Sequence, residues 1–104
     1  EALAVRFTRW AVHLGVAEAM TNLGAKYLEG HGVAQDTDRA VKLFQQASDS
    51  GDGKGTVMLA ICHVRGIAGR GPDAQEGLRL CRQAADTGLF LAQALLEEFE
   101  KVAN

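Results

Sequence analysis

Three stretches of this chain repeat one another at a spacing of about 36 residues, and that repetition limits the fold more than any other feature. Ala4, Ala40 and Gly77 open them, which sets the offsets at 36 and 37. In each stretch an apolar residue (Phe7, Leu43, Leu80) stands four before a small one (Ala11, Ala47, Ala84), and a glycine (Gly15, Gly51, Gly88) four after it. The segments between them match as well. Leu23-Gly24 aligns with Leu59-Ala60, Gly30 with Gly66 and Asp36 with Asp73, so the extra residue falls in the loop between Gly66 and Asp73. A unit this short cannot bury its apolar face alone and must stack on its neighbours.

Each unit reads as two helices. Helix A covers roughly Val16–Glu29, with Ala19, Leu23 and Tyr27 on one face at i, i+4, i+8. Helix B covers roughly Thr37–Ser50, with Ala40, Leu43, Phe44 and Ala47 turned inward. Gly30-His31-Gly32-Val33 joins them, and its glycines permit the positive φ that ends a helix. Asp36 and Asp73 are placed to cap the B helices, and Asp73 with Glu76 makes a capping-box pattern. Gly15, Gly51 and Gly88 each follow a B helix, where a left-handed cap is expected.

Composition excludes some functions. A net charge of −2 and a pI near 5.9 argue against a nucleic-acid partner, which calls for a basic face. The longest apolar run, Val57–Cys62, falls far short of the roughly 20 residues that span a bilayer. No secretory leader opens the chain, and it begins at Glu1 rather than Met, so a piece of a longer protein is expected.

The pattern of Ala19, Leu23-Gly24, Tyr27, Gly30, Gly32-Val33, Asp36, Ala40, Phe44 and Ala47 resembles the Sel-one-like repeat, the longer-looped relative of the tetratricopeptide repeat. The second unit diverges, with Ala60 standing for Gly24, His63 for Tyr27 and Arg70 for Val33. The resemblance implies an all-α, right-handed α-solenoid of antiparallel helix pairs across a single domain, 1–104. Residues 1–15 would be a lone B helix, 16–51 and 52–88 two repeats, and 89–104 a capping A helix. The order is B-A-B-A-B-A, six helices. Glu97 and Glu100 give the last helix the polar outer face that a cap needs, whereas Phe7, Trp10 and Val12 leave the first without one.

The resemblance further implies an adaptor or scaffold that takes another protein or peptide on the concave face lined by A helices. Concave positions carried over from the tetratricopeptide pattern are Glu18, Thr21, Ala25, Leu28 and Glu29 in the first A helix. In the second they are Lys54, Val57, Ile61, Val64 and Arg65, and in the last Leu91, Ala94 and Glu98. Val57, Ile61 and Val64 form a second apolar stripe on a helix that already commits Leu59 and Ala60 to the core. Such a stripe is either covered by neighbouring A helices or docks an amphipathic segment of a partner.

Other features read plainly. Gly51-Asp52-Gly53-Lys54-Gly55-Thr56 lacks the order and the preceding strand of a phosphate loop, and is an inter-repeat turn. Arg70, in the A-to-B loop, is a solvated basic residue. His13, His31 and His63 have no zinc-ligand spacing with one another or with the cysteines. No nucleophile, base and orienter come together, so neither catalysis nor a cofactor is expected. Cys81 takes the place of the core aromatic Phe44 and is expected to be buried. Cys62 aligns with Lys26, a surface-type position, and is either reactive or partly covered. Two alternative functions remain. One is self-association through Phe7 and Trp10 of the first helix, giving a homo-oligomer. The other, drawn from relatives in bacterial envelope settings, is an accessory ligand-binding domain of an envelope enzyme.

Overall fold

The computed structural model describes residues 2–67, 73–86 and 90–103, apart from the side chains at 90, 91, 99, 100, 102 and 103. These residues form six helices and no strand: α1 Leu3–His13, α2 Ala17–Glu29, α3 Thr37–Asp49, α4 Gly53–Arg65, α5 Ala74–Asp86 and α6 Phe90–Ala103. Helices α2, α4 and α6 are the A helices, and α1, α3 and α5 the B helices. Expectations at Arg70 and Gly88, and for the side chain of Glu100, lie outside the described residues.

Local chemistry sets the helix ends. Gly15 and Gly51 have φ of +81° and +92°, and each closes a B helix with a Schellman pair. Val16 N–H donates to Ala11 O at 3.1 Å and Gly15 N–H to Val12 O at 2.9 Å. After α3 the same pair runs from Asp52 N–H to Ala47 O and from Gly51 N–H to Ser48 O. Asp36 caps α3 by accepting from Arg39 N–H at 3.1 Å, and Asp73 caps α5 by accepting from Glu76 N–H at 3.0 Å. The capping box at Asp73 is only half made. Its backbone N–H already donates to His63 O at 2.8 Å, so the Glu76 carboxylate turns to Arg79, at 2.9 and 2.6 Å. Asp36 N–H makes the matching bond to Tyr27 O at 2.9 Å. This backbone link is what the two A-to-B junctions share, although one carries tyrosine and the other histidine.

One core cluster runs through the stack, from Val5 through Leu23, Tyr27, Val41, Phe44 and Leu59 to Cys62, Leu80 and Cys81. Cys62 is fully buried, which decides its open reading: it is a core thiol. The two repeats fill their cores by different routes. In the first, Gly24 lets the Phe44 ring lie against the α2 backbone: a Cβ at Gly24 would sit 2.7 and 2.9 Å from two ring carbons. In the second, Ala60 and the smaller Cys81 take those places, and the glycine moves across to α5 as Gly77, against Val64 Cγ2. Close approach of the two helices is kept in both.

Each helix packs on the next one along the chain. The A helices also meet each other, α2 with α4 and α4 with α6, whereas no two B helices do so among the described residues. The stack therefore curves with its A helices inside. It measures 44 × 27 × 17 Å.

Candidate functional site

Side-by-side A helices make the inner face, and the structure sorts its expected residues into two groups. Glu18, Glu29, Lys54, Arg65, Ala94 and Glu98 are exposed, and Ala25 is half-buried. Glu29 lies 3.1 Å from His31 Nδ1, and Glu98 lies 3.6 Å from Lys101 Nζ. The others turn inward. Leu28 packs on the main core. Thr21 is buried, and its hydroxyl donates to Asp52 Oδ2 at 2.5 Å. The other Asp52 oxygen accepts from Lys54 N–H at 3.4 Å, so one carboxylate caps α4 and ties it to α2. The side chain of Leu91 lies outside the described residues.

Of the two readings of the apolar stripe on α4, the burial of its side chains favours coverage by neighbouring helices. Val57 is only 1% exposed and forms a second core cluster with Ala84 of α5 and Ala92 of α6. Ile61 packs against that cluster beside Leu95, and Val64 is half-buried with its Cγ2 against Gly77. Helices α5 and α6 together cover most of the stripe, so it serves mainly as internal packing.

Phe7 and Trp10 lie on the surface of α1, at 62% and 64% exposure. Leu3 and Leu14 extend them into one stripe at i, i+4, i+7 and i+11, all well exposed. Sequence reasoning missed those two. Comparing repeats would have found them: Leu3, Trp10 and Leu14 align with Arg39, Gln46 and Ser50, which are polar and exposed.

A second feature was missed. Tyr27 is buried, and its hydroxyl accepts from Arg9 Nη2 at 2.9 Å and from Arg39 Nη1 at 3.2 Å. The two guanidinium carbons lie 5.8 and 5.6 Å from the ring centroid, within cation–π range. Arg9 belongs to the unit before Tyr27, so a motif read within one repeat does not include it. Among the described residues no group of three His, Cys, Asp or Glu is placed to hold a metal ion. No helix among them is long and apolar enough to cross a membrane.

Stacked antiparallel helix pairs with their A helices inside define an α-solenoid repeat protein. The Sel1 repeat family model matches residues 17–52 and 54–89, most of the chain, and the chain belongs to that family. The crystal structure of a Sel1 repeat protein from Oxalobacter formigenes superposes with a TM-score of 0.87 at 29% identity, over 97% of this chain and 40% of that one. That of c5321, a protective antigen present in uropathogenic Escherichia coli strains and displaying an SLR fold, has a TM-score of 0.81 at 21% identity. It matches 88% of this chain and 20% of its own length. This chain thus spans well under half of either relative. No curated protein matches its sequence. Sel1 repeats generally mediate protein–protein interaction and are typically non-catalytic modules.

Proposed function

We infer that this chain is a non-catalytic protein-interaction module that takes a segment of a partner protein across its inner, A-helix face. The supporting observation is the direct meeting of α2 with α4 and of α4 with α6, which gives one continuous surface. Glu18, Glu29, Lys54, Arg65 and Glu98 stand exposed on it, with Ala25 and Ala94 as the small positions between them. With most of the α4 stripe covered, this face is mainly polar and of mixed charge. It suits an extended, charged segment better than the apolar side of an amphipathic helix. The test is capture from a lysate of the source cells by wild type, Arg65→Glu and Lys54→Glu, once circular dichroism shows equal helicity. A partner held by wild type and lost by both variants supports the inner face. A partner held equally by all three places binding elsewhere.

The α1 stripe favours a second reading, self-association. Leu3, Phe7, Trp10 and Leu14 make a continuous apolar strip, a pattern that helices use to pair. Sedimentation equilibrium tests it. A mass that rises with concentration in wild type but stays monomeric in a Phe7→Glu, Trp10→Glu variant supports pairing through α1. A monomer at every concentration removes this reading.

A further inference from the structure

On the outer side of the stack, α1 and α3 stand apart over α2 and leave a cleft of about 430 Å³. Its floor is Leu23 and Tyr27, and Val12 and Leu43 extend the apolar lining up the walls. Arg9, Arg39 and Lys42 also line it, and among the described residues no acidic side chain does. The chain as a whole is acidic, at −2, so this is a local concentration of positive charge. Asp36, outside the lining, lies 3.4 Å from Arg39 Nε and offsets part of it.

The geometry at Tyr27 adds a separate observation. The ring is 2% exposed, and both arginines donate to its oxygen. A phenol oxygen also carries one proton to donate. Among the described residues no hydrogen bond takes that proton. Two guanidinium groups and one O–H therefore converge on the cleft, a donor set that matches an anionic oxygen.

The fold does not require this charge. At the equivalent places one repeat on, Arg9 is replaced by Gln45, Tyr27 by His63 and Arg39 by Glu76. Lys42 is replaced by Arg79, which pairs with that Glu76 at 2.6 Å. The same helix packing is thus built without a basic cleft, so the charge at the first junction answers to something other than stacking.

We propose that the cleft between α1 and α3 binds a short acidic segment of a partner protein, with one carboxylate side chain meeting Arg9, Arg39 and the Tyr27 hydroxyl and a neighbouring apolar side chain lying on Leu23 and Leu43. A peptide fits better than a small anion, because much of the lining is apolar and the volume exceeds what one phosphate fills. This surface lies on the opposite side of the stack from the inner face, so the two can be tested apart.

The experiment uses two degenerate pools of fluorescent nonapeptides with a central Leu or Phe. One pool carries Asp or Glu on both sides of the centre, and the other carries Asn or Gln. Anisotropy is read with wild type, Lys42→Glu and Arg65→Glu. Lys42→Glu is chosen because that side chain is exposed, lines the cleft and takes no part in the hydrogen bonds to Tyr27. The acidic pool is expected to bind wild type about ten- to a hundredfold more tightly than the amide pool, the scale of charge-assisted hydrogen bonds. Lys42→Glu should remove most of that preference, and Arg65→Glu should leave it intact. Equal binding of the pools, no binding of either, or no effect of Lys42→Glu overturns the proposal. So does displacement by inorganic phosphate at the peptide's own concentration, which would make this a small-anion site. Loss with Arg65→Glu alone would move the peptide to the inner face.

Discussion

Gly24→Ala is a demanding test of how the first repeat is packed, because helix propensity and packing oppose each other there. Alanine is favoured over glycine inside a helix by about 1 kcal/mol, and one more buried methyl adds about 0.8 kcal/mol. Taken alone, these make the variant the more stable protein. The new Cβ, however, would lie 2.7 and 2.9 Å from Phe44 ring carbons and 3.2 Å from Ala40 O. Phe44 is fully buried in the main core, so its ring can yield only by displacing its neighbours. Overpacking of this kind costs about 1–3 kcal/mol and occasionally more, and contact with a rigid ring and a backbone carbonyl belongs at the upper end. The expected result is a net loss of about 1–2 kcal/mol, read from urea unfolding by circular dichroism. In a domain of this size each 1 kcal/mol lowers Tm by about 4–8 °C. Phe44→Leu should relieve the clash, so the double variant should lose less than the sum of the singles by about 1 kcal/mol or more. A Gly24→Ala protein as stable as the parent, or strictly additive losses, would refute the argument.

Three further outcomes follow from bonds already described. Asp52→Ala removes the α4 cap and leaves the buried Thr21 hydroxyl without its acceptor, and should lower stability by about 1–2 kcal/mol in the same urea assay. The hydrogen bond from Arg79 holds the Glu76 carboxyl below its ordinary value near 4.5, so the stability it contributes is present above that value and fades as pH falls through the lowered one. Glu76→Gln should therefore lower the urea midpoint slightly at about pH 7 and leave it unchanged at about pH 2, small because Arg79 is exposed. Both cysteines are buried, and burial raises the Cys81 thiol pKa, so an aromatic disulfide reagent should modify neither in the native protein at neutral pH and both in denaturant.

Much of this fold is legible in the sequence because the features that set helix ends are local. Gly15 and Gly51 close B helices, and Asp36 and Asp73 open them, by bonds that span only a few residues. The surfaces were harder to read for a consistent reason. Spacing shows that Val57, Ile61 and Val64 share a face, but not that α5 and α6 lie over it, since the covering residues come from elsewhere in the stack. The half-made capping box at Asp73 is similar: its N–H had found the His63 carbonyl, ten residues back. The Arg9–Tyr27–Arg39 cluster joins three helices across two units, where no short motif can register it. In these cases the deciding partner lies outside the window in which a pattern is sought.

The order of packing also bears on how such a protein comes into being. Every helix among the described residues meets only those one or two places along the chain. A segment leaving the ribosome therefore finds its docking surface already made by the segment before it, and never waits for a distant one. Assembly can advance in the direction of synthesis, with each emerging pair seated on a finished edge. The same locality lets loss of structure begin at one end and stop at a junction. A tether pulled from both ends should accordingly lengthen in steps of about one repeat, not in a single rupture.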